Sequence, residues 1–384
     1  MNKTTKIVMI TMFKNEAKTI RRMLESSYKY IDYWVFQDNG STDGTPEVVR
    51  DFFEEHPVPG FIYQVDEGWV SFGWNRDHLL QTCLKTDHGC DWIMKMDCDE
   101  YMEVDNDFDW TIFNDTSIQS FHVPSIAPGI TYYRAWIWNS RMPWKFNHDL
   151  IHETISLEID GIGENFQRVN LPKSFRHIGT NDGESYSSPT KYVSDALKLE
   201  EQLIRENTLL TDNYHFWYVG KSYFDAHFYN NFPLGKSQQE EYARRAVYYF
   251  YEYVCHNHEG YRETSVPTRI DEFGYFAMYL CAHVSKELGD LETSIEFFNR
   301  AGKFCPRRNE HLVRLIEICL EQDDPTTAIG MLNYITTEER KNPFPEFMFL
   351  IDNNCYYDTG NYLEHLKNVA MEKIERYNNE VLNK

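Results

Sequence analysis

The chain is short of basic residues: 38 Lys and Arg stand against 60 Asp and Glu, a formal charge of −22. A charge of that sign opposes wrapping of a DNA or RNA backbone, so no nucleic-acid partner is expected. An uninterrupted apolar run of membrane length is missing, and no membrane span is expected. Behind Lys3 and Lys6 stands only a short strand-like stretch, Ile7 to Met12, which is not the pattern of a signal peptide. A Cys-x-x-Cys pair is also missing. The eight cysteines lie scattered at 83, 90, 98, 255, 281, 305, 319 and 355. Such spacing argues against a zinc site and suits the reduced, structural thiols of a cytoplasmic protein.

What is present is enough apolar material for two cores. At 384 residues, 42% of them hydrophobic, two domains are expected, each able to bury its own interior. The stretch that organises the first is Asp91-Trp92-Ile93-Met94-Lys95-Met96-Asp97-Cys98-Asp99-Glu100. An apolar run delivers three carboxylates in four residues, the pattern of a buried strand ending at a site. On an extended chain Asp97 and Asp99, at i and i+2, would point to one side and offer oxygens to a hard divalent cation. Carboxylates this close need a cation or hydrogen-bond donors to offset their repulsion. The plainer reading is an acidic turn at a strand end.

The preceding chain supplies context. Strands are predicted at residues 6–13, 33–38 and 61–65. The first helix repeats Ala17, Ile20 and Leu24, and the second buries Val48, Val49, Phe52 and Phe53 after a cap at Thr45 and a proline at Pro46. A third helix buries Leu79, Leu80, Cys83 and Leu84. Strand and helix in alternation predict a mainly parallel, Rossmann-like α/β sheet covered on both faces. Ligands in such sheets bind beyond the carboxyl ends of the strands, where Thr11 to Phe13, Asp38 and Asp97 to Asp99 all fall.

Four motifs in order, Thr11-Met12-Phe13-Lys14-Asn15-Glu16, Asp38-Asn39-Gly40-Ser41-Thr42-Asp43-Gly44-Thr45, Trp74-Asn75-Arg76 and Asp91 through Glu100, resemble family two glycosyltransferases of the GT-A fold. The resemblance implies a hexosyltransferase-type enzyme that moves a sugar, with inversion, from a nucleotide diphosphate sugar, UDP foremost, to a glycan or protein acceptor. It implies nucleotide-sugar contacts from Thr11, Phe13, Asn15, Glu16, Asp38, Asn75, Arg76 and Asp97, with Asp38 at the base and Asp97 on the ribose side. Asp99 would bind Mn2+ or Mg2+. Trp74 stands where the family has arginine or a small residue, which leaves Arg76 as the substitute contact to the diphosphate.

Beyond Glu100 alternating stretches at 120–123 and 130–136 predict short strands. A catalytic base must be a carboxylate or histidine near the acceptor hydroxyl. The resemblance places an Ile-His-Glu motif here, matched by Ile151-His152-Glu153. Glu153 is the first choice for the base, Asp149 and Glu100 stand behind it, and His152 joins the donor-binding set. A mutual bond between His152 and Glu153 is the plainer reading. His177-Ile178-Gly179 fits the family's further metal ligand, and the polar segment 180–190 reads as a loop closing over a ligand.

From Ser188 the sequence becomes helical, which divides the chain into residues 1–187 and 188–384. Gly289, Ser294, Phe298, Ala301 and Pro306 occupy the small, aromatic and proline positions of a tetratricopeptide repeat. A shift of 34 residues maps Ser294, Phe298 and Ala301 onto Ala328, Leu332 and Ile335. Asp323 replaces the glycine, and a last copy near Asp358 to Tyr362 is out of register. The helical half would bind an acceptor protein, form a homodimer, or buttress the catalytic domain. A different class of function stays open: an interaction scaffold with a degenerate GT-A domain, for which Trp74 speaks.

Overall fold

The computed structural model describes residues 3–127, 130–147, 153–158, 167–180, 182–183, 185, 188, 190–205, 213–229, 234–337, 340, 349–350 and 361–382. The chain divides into two compact units, Met1–Lys191 and Tyr192–Lys384.

The first unit is a Rossmann-like α/β layer structure. Strands β1 (Ile7–Phe13), β2 (Tyr33–Asp38), β3 (Gly60–Gln64) and β4 (Trp92–Lys95) alternate with helices α1 (Ile20–Ser27), α2 (Thr45–Glu55) and α3 (Phe72–Lys85). They pair in parallel in the order β3-β2-β1-β4; β1, β2 and β4 are apolar runs because both sheet faces are covered there, whereas the edge strand β3 is only partly buried. On β1 the alternation sorts side chains into two layers. Ile7, Met9 and Phe13 join Met23, Leu24, Phe52 and Phe53 of α1 and α2. Val8, Ile10 and Met12 join Leu79, Leu80 and Cys83 of α3.

Past β4 the sheet is mixed rather than mainly parallel. No crossover helix follows Lys95; the chain turns at Cys98–Asp99 straight into β5 (Glu100–Val104). Strands β6 (Ser120–Ala127) and β7 (Ile130–Asn139) pair antiparallel, β7 runs antiparallel to β4, and β11 (Phe175–Gly179) lies between β6 and β5. The short β10 (Arg168–Asn170) also pairs with β6. A separate ribbon of β8 (Trp144–Phe146) and β9 (Ile155–Leu157), not evident from the alternation, packs beside α3.

Two boundaries differ from expectation. Helix α1 begins at Ile20 rather than Ala17. Helix α2 is capped by Gly44 at φ 87°, and Thr45 becomes its first residue. The Thr45 hydroxyl is spent instead on accepting the Glu16 N–H at 2.8 Å and donating to Asp43, which ties the loops after β1 and β2 together.

The second unit is helical: α4 (Lys191–Arg205), α5 (Asn213–Phe228), α6 (Lys236–Asn257), α7 (Tyr261–Thr264), α8 (Glu272–Glu287), α9 (Leu291–Phe304), α10 (Glu310–Glu321), α11 (Pro325–Ile335) and α12 (Tyr362–Leu382). Helices α9 and α11 begin 34 residues apart. Ser294, Phe298 and Ala301 are buried in α9, and Ala328, Leu332 and Ile335 are buried at the matching positions of α11. Asp290 and Asp324, also 34 apart, cap these helices by accepting from Thr293 and Thr327 N–H. Gly289 turns with φ 83°, and Asp323 takes the same left-handed conformation at φ 60°. Lys373, Arg376 and Tyr377 of α12 hold the Asp323 carboxylate there. Asp358, Thr359 and Gly360 lie outside the described residues.

Candidate active site

The order β3-β2-β1-β4 reverses direction of growth between β1 and β4, which puts the topological switch point, the place where such sheets bind ligands, at the carboxyl edge of these two strands. Parallel register brings Phe13 level with Asp38, and Ile10 level with Lys95, so Thr11 to Phe13, Asp38 and the turn after Lys95 emerge together.

Several of the donor-site candidates build this edge. Asn15, at φ 60°, accepts the Thr42 N–H on Oδ1 at 2.8 Å, while its own N–H donates to Ser41. Asp38 accepts the Ser41 N–H at 2.8 Å. Asn75 is fully used: Oδ1 accepts from Val70 and Ser71 N–H, and Nδ2 donates to Asn39 and Gly68. Trp74, Asn75 and Arg76 stand in the first turns of α3, which Ser71 caps by accepting from Trp74 N–H. Phe13 lies in the core, edge-on to Phe36. Thr11 is buried with its hydroxyl unpartnered among the described residues. It borders a water-sized cavity of about 10 Å³ that Arg76, Lys95, Asp97 and Phe146 also line.

The acidic stretch does not continue as a strand. Glu100 N–H bonds back to Asp97 O at 3.1 Å, so Asp97 and Asp99 sit on a turn and do not share a side by strand alternation. Asp97 meets Arg76 through two bonds, Nη1 to Oδ1 at 3.0 Å and Nη2 to Oδ2 at 3.3 Å, and it also accepts from Lys95 at 2.9 Å. Glu100 is buried and accepts from Arg134 Nη2 at 2.9 Å. Lys95 and Arg134 both lie over Trp136, at 3.8 and 4.5 Å from its ring centre. Three cations of the protein itself, from α3, β4 and β7, thus stand against Asp97 and Glu100.

Asp99 lies on the other side of the turn. Thr180 N and Oγ1 both donate to its carbonyl, and Arg22 grips Asp182 with two bonds of 2.7 Å. That grip holds the Asp182 carboxyl down at about 2. A Cβ on Gly183 would come within 3.2 Å of both Asp99 Cβ and Glu16 Oε1, so the segment after β11 lies directly against Asp99. Burial, and then the neighbouring Asp97, push the Asp99 carboxyl up to about 6. Glu100 is likewise held well above the ordinary carboxylate range by burial, in spite of Arg134.

Glu153 comes to the site through the ribbon. Asp77 accepts the Phe146 N–H at 3.0 Å, and Asn147 and Thr154 bond to each other twice, which brings the end of the β8–β9 loop back to α3. There Glu153 Oε1 forms an ion pair with Arg76 Nε. Asp149 and His152 lie outside the described residues. His177 is buried, edge-on to Trp136 at 5.2 Å, with both ring nitrogens unpartnered among the described residues. Burial, reinforced by Arg134, lowers its pKa to about 3 and keeps the ring neutral. Among the described residues no group of three His, Cys, Asp or Glu converges as a metal site, and no helix is long and apolar enough to cross a membrane.

Sequence reasoning did not select Lys95, Arg134 or Arg22. Lys95 was visible as the one charge in the apolar run before Asp97; Arg134 and Arg22 carry no local signal, because their partners are 34 and 160 residues away.

No curated protein matches the chain. Among solved structures, one titled crystal structure of MamA aligns over 51% of this chain and 97% of its own, at 11% identity and a TM-score of 0.29, too low to bear on fold or function. Residues 8–107, which contain the switch point and the acidic turn, match the model of glycosyl transferase family 2, and this supports a glycosyltransferase of that family.

Proposed function

We propose that residues 1–187 transfer a sugar from a nucleotide diphosphate sugar, UDP-linked, to a hydroxyl of a glycan or protein acceptor. The observation that carries this reading is the acidic turn Asp97 to Glu100 at the carboxyl edge of β4, inside the span matched by the family model. The unpartnered Thr11 hydroxyl and the Asn39 amide, both buried at the same edge, are groups a bound nucleotide would satisfy.

In the proposed reaction Glu153 takes the proton of the acceptor hydroxyl. The oxygen attacks the anomeric carbon, a new C–O bond forms, and the bond to the diphosphate breaks with its electron pair leaving on the nucleotide. Asp38 would meet the base and Asp97 the ribose side. Inversion of configuration follows from a single displacement of this kind.

Asp99 and His177 are the residues that would hold Mn2+ or Mg2+. The fit rests on chemistry: a carboxylate and a neutral, orphaned imidazole are ligand types such an ion accepts. Asp97 has both oxygens engaged by Arg76 and Lys95, so the remaining ligands would come from the diphosphate and water. When bound, the cation would neutralise charge on the leaving diphosphate.

We assign residues 188–384 to a tetratricopeptide-like domain, on the 34-residue correspondence of α8–α9 with α10–α11. A protein acceptor or a second copy of the chain is the partner such a surface suits. The test of the catalytic reading is nucleotide release from UDP, GDP and dTDP sugars without acceptor, in manganese, magnesium or chelator. Slow hydrolysis of one donor that chelator abolishes is expected. A UDP thermal shift absent in manganese, together with no turnover of any donor, would contradict the reading.

A further inference from the structure

We propose that Arg76 is a positioning residue that holds the base Glu153 in register with the Asp97 turn, rather than a contact to the donor diphosphate. The inference rests on the assignment of Glu153 as the base.

Two carboxylates of the protein share the guanidinium. Its side chain is 10% exposed, each Nη gives one of its two N–H groups to an oxygen of Asp97, and Nε lies against Glu153 as an ion pair without hydrogen-bond geometry. A planar guanidinium can face two carboxylates on two of its edges at once, and a lysine ammonium cannot reproduce that. The two partners lie 21 and 77 residues further along the chain, on separate elements, so the arginine is the strut that fixes their separation. Asp77, its neighbour on α3, holds Phe146 of the same ribbon, and the Asn147–Thr154 bonds close the loop between. Glu153 is therefore tied to α3 directly through Arg76 and indirectly through Asp77.

A strut acts only through what it holds. In acceptor-free hydrolysis of UDP-glucose, UDP-galactose and UDP-N-acetylglucosamine, where Glu153 would act on water, Arg76→Lys should lower kcat at least tenfold and leave donor KM within about threefold. The double variant R76K/E153Q should be no slower than E153Q alone, because the two changes remove one function. Arg76→Gln is the second variant, with the same pattern expected, and circular dichroism melts show which of the two folds. UDP affinity by calorimetry should stay within threefold of wild type in either variant, because Lys95 still holds Asp97.

A tenfold loss of UDP affinity, or a rise in KM at constant kcat, would overturn the proposal and make Arg76 a diphosphate ligand. Losses that multiply in the double variant would overturn it while leaving Glu153 as the base. A wild-type rate in E153Q alone would overturn the base assignment and the strut with it.

Discussion

Replacing Arg134 with Met removes the guanidinium 2.9 Å from Glu100 Oε1 and leaves a carboxylate that is 4% exposed with Asp97 and Asp99 beside it. Breaking a buried ion pair from one side costs about 3–5 kcal/mol. Methionine can keep part of the packing on Trp136 and Tyr132, which the arginine covers, so the lower end, about 3 kcal/mol, applies. For a unit the size of Met1–Lys191 that is a fall in Tm of about 6–12 °C. The loss must depend on pH. With its partner gone the folded-state pKa of Glu100 rises further above its unfolded value. The wild-type carboxyl also keeps its proton up to about 8, so the variant's additional loss opens as pH rises through about 8, where wild-type Glu100 ionises against Arg134 and the variant's does not. Melting followed by circular dichroism in chelator should show a larger Tm loss at pH 9.5 than at pH 6.5, and Glu100→Gln in the R134M background should recover much of it. A loss under about 2 °C, an equal loss at both pH values, or no recovery in the double variant would refute the reasoning.

Further predictions follow from other parts of the molecule. The Asp99 carboxyl is held up to about 6, and protons compete with cations for it, so manganese affinity by calorimetry should fall as pH drops below about 6; constant affinity from pH 7.5 to 5 would contradict this. Ser71→Ala deletes the cap of α3, at a cost of about 1 kcal/mol and about 2–4 °C in the melting of the first unit. Gly302→Ala puts a Cβ 2.5 Å from His311 Nε2 between α9 and α10, and overpacking of about 1–3 kcal/mol should appear in denaturant unfolding of the second unit; an unchanged midpoint would show that His311 yields.

The parallel half of the sheet was legible because residues 7–13, 33–38 and 92–95 are buried on both faces and therefore read as apolar runs. The carboxyl edge was legible for the same reason: once the strands are placed, their ends are placed. The turn at Cys98–Asp99 was not, since period-two reasoning assumes the strand continues, and the bond from Glu100 N–H to Asp97 O ends it. Arg76 read as a substitute diphosphate contact, yet its partners are Asp97 and Glu153, a pairing made only when the ribbon folds against α3. His177 was selected by its motif, but the burial that leaves its nitrogens orphaned depends on Trp136 and Phe175 meeting it across the sheet. Asp323 stands where a 34-residue shift places Gly289. It adopts the glycine's backbone conformation because three side chains of α12 hold its carboxylate, contacts at 50 residues and more that no local pattern contains.

The most direct test of the catalytic account is the rate of nucleotide diphosphate release in manganese by the wild type and by Asp99→Asn, with the sugar donor that the wild type hydrolyses. The change removes one charge from the turn and keeps the residue's size, so folding should be preserved. The account predicts a loss of at least a hundredfold in rate with an unchanged circular dichroism spectrum. Full release by Asp99→Asn would contradict the assignment of the acidic turn as the donor site.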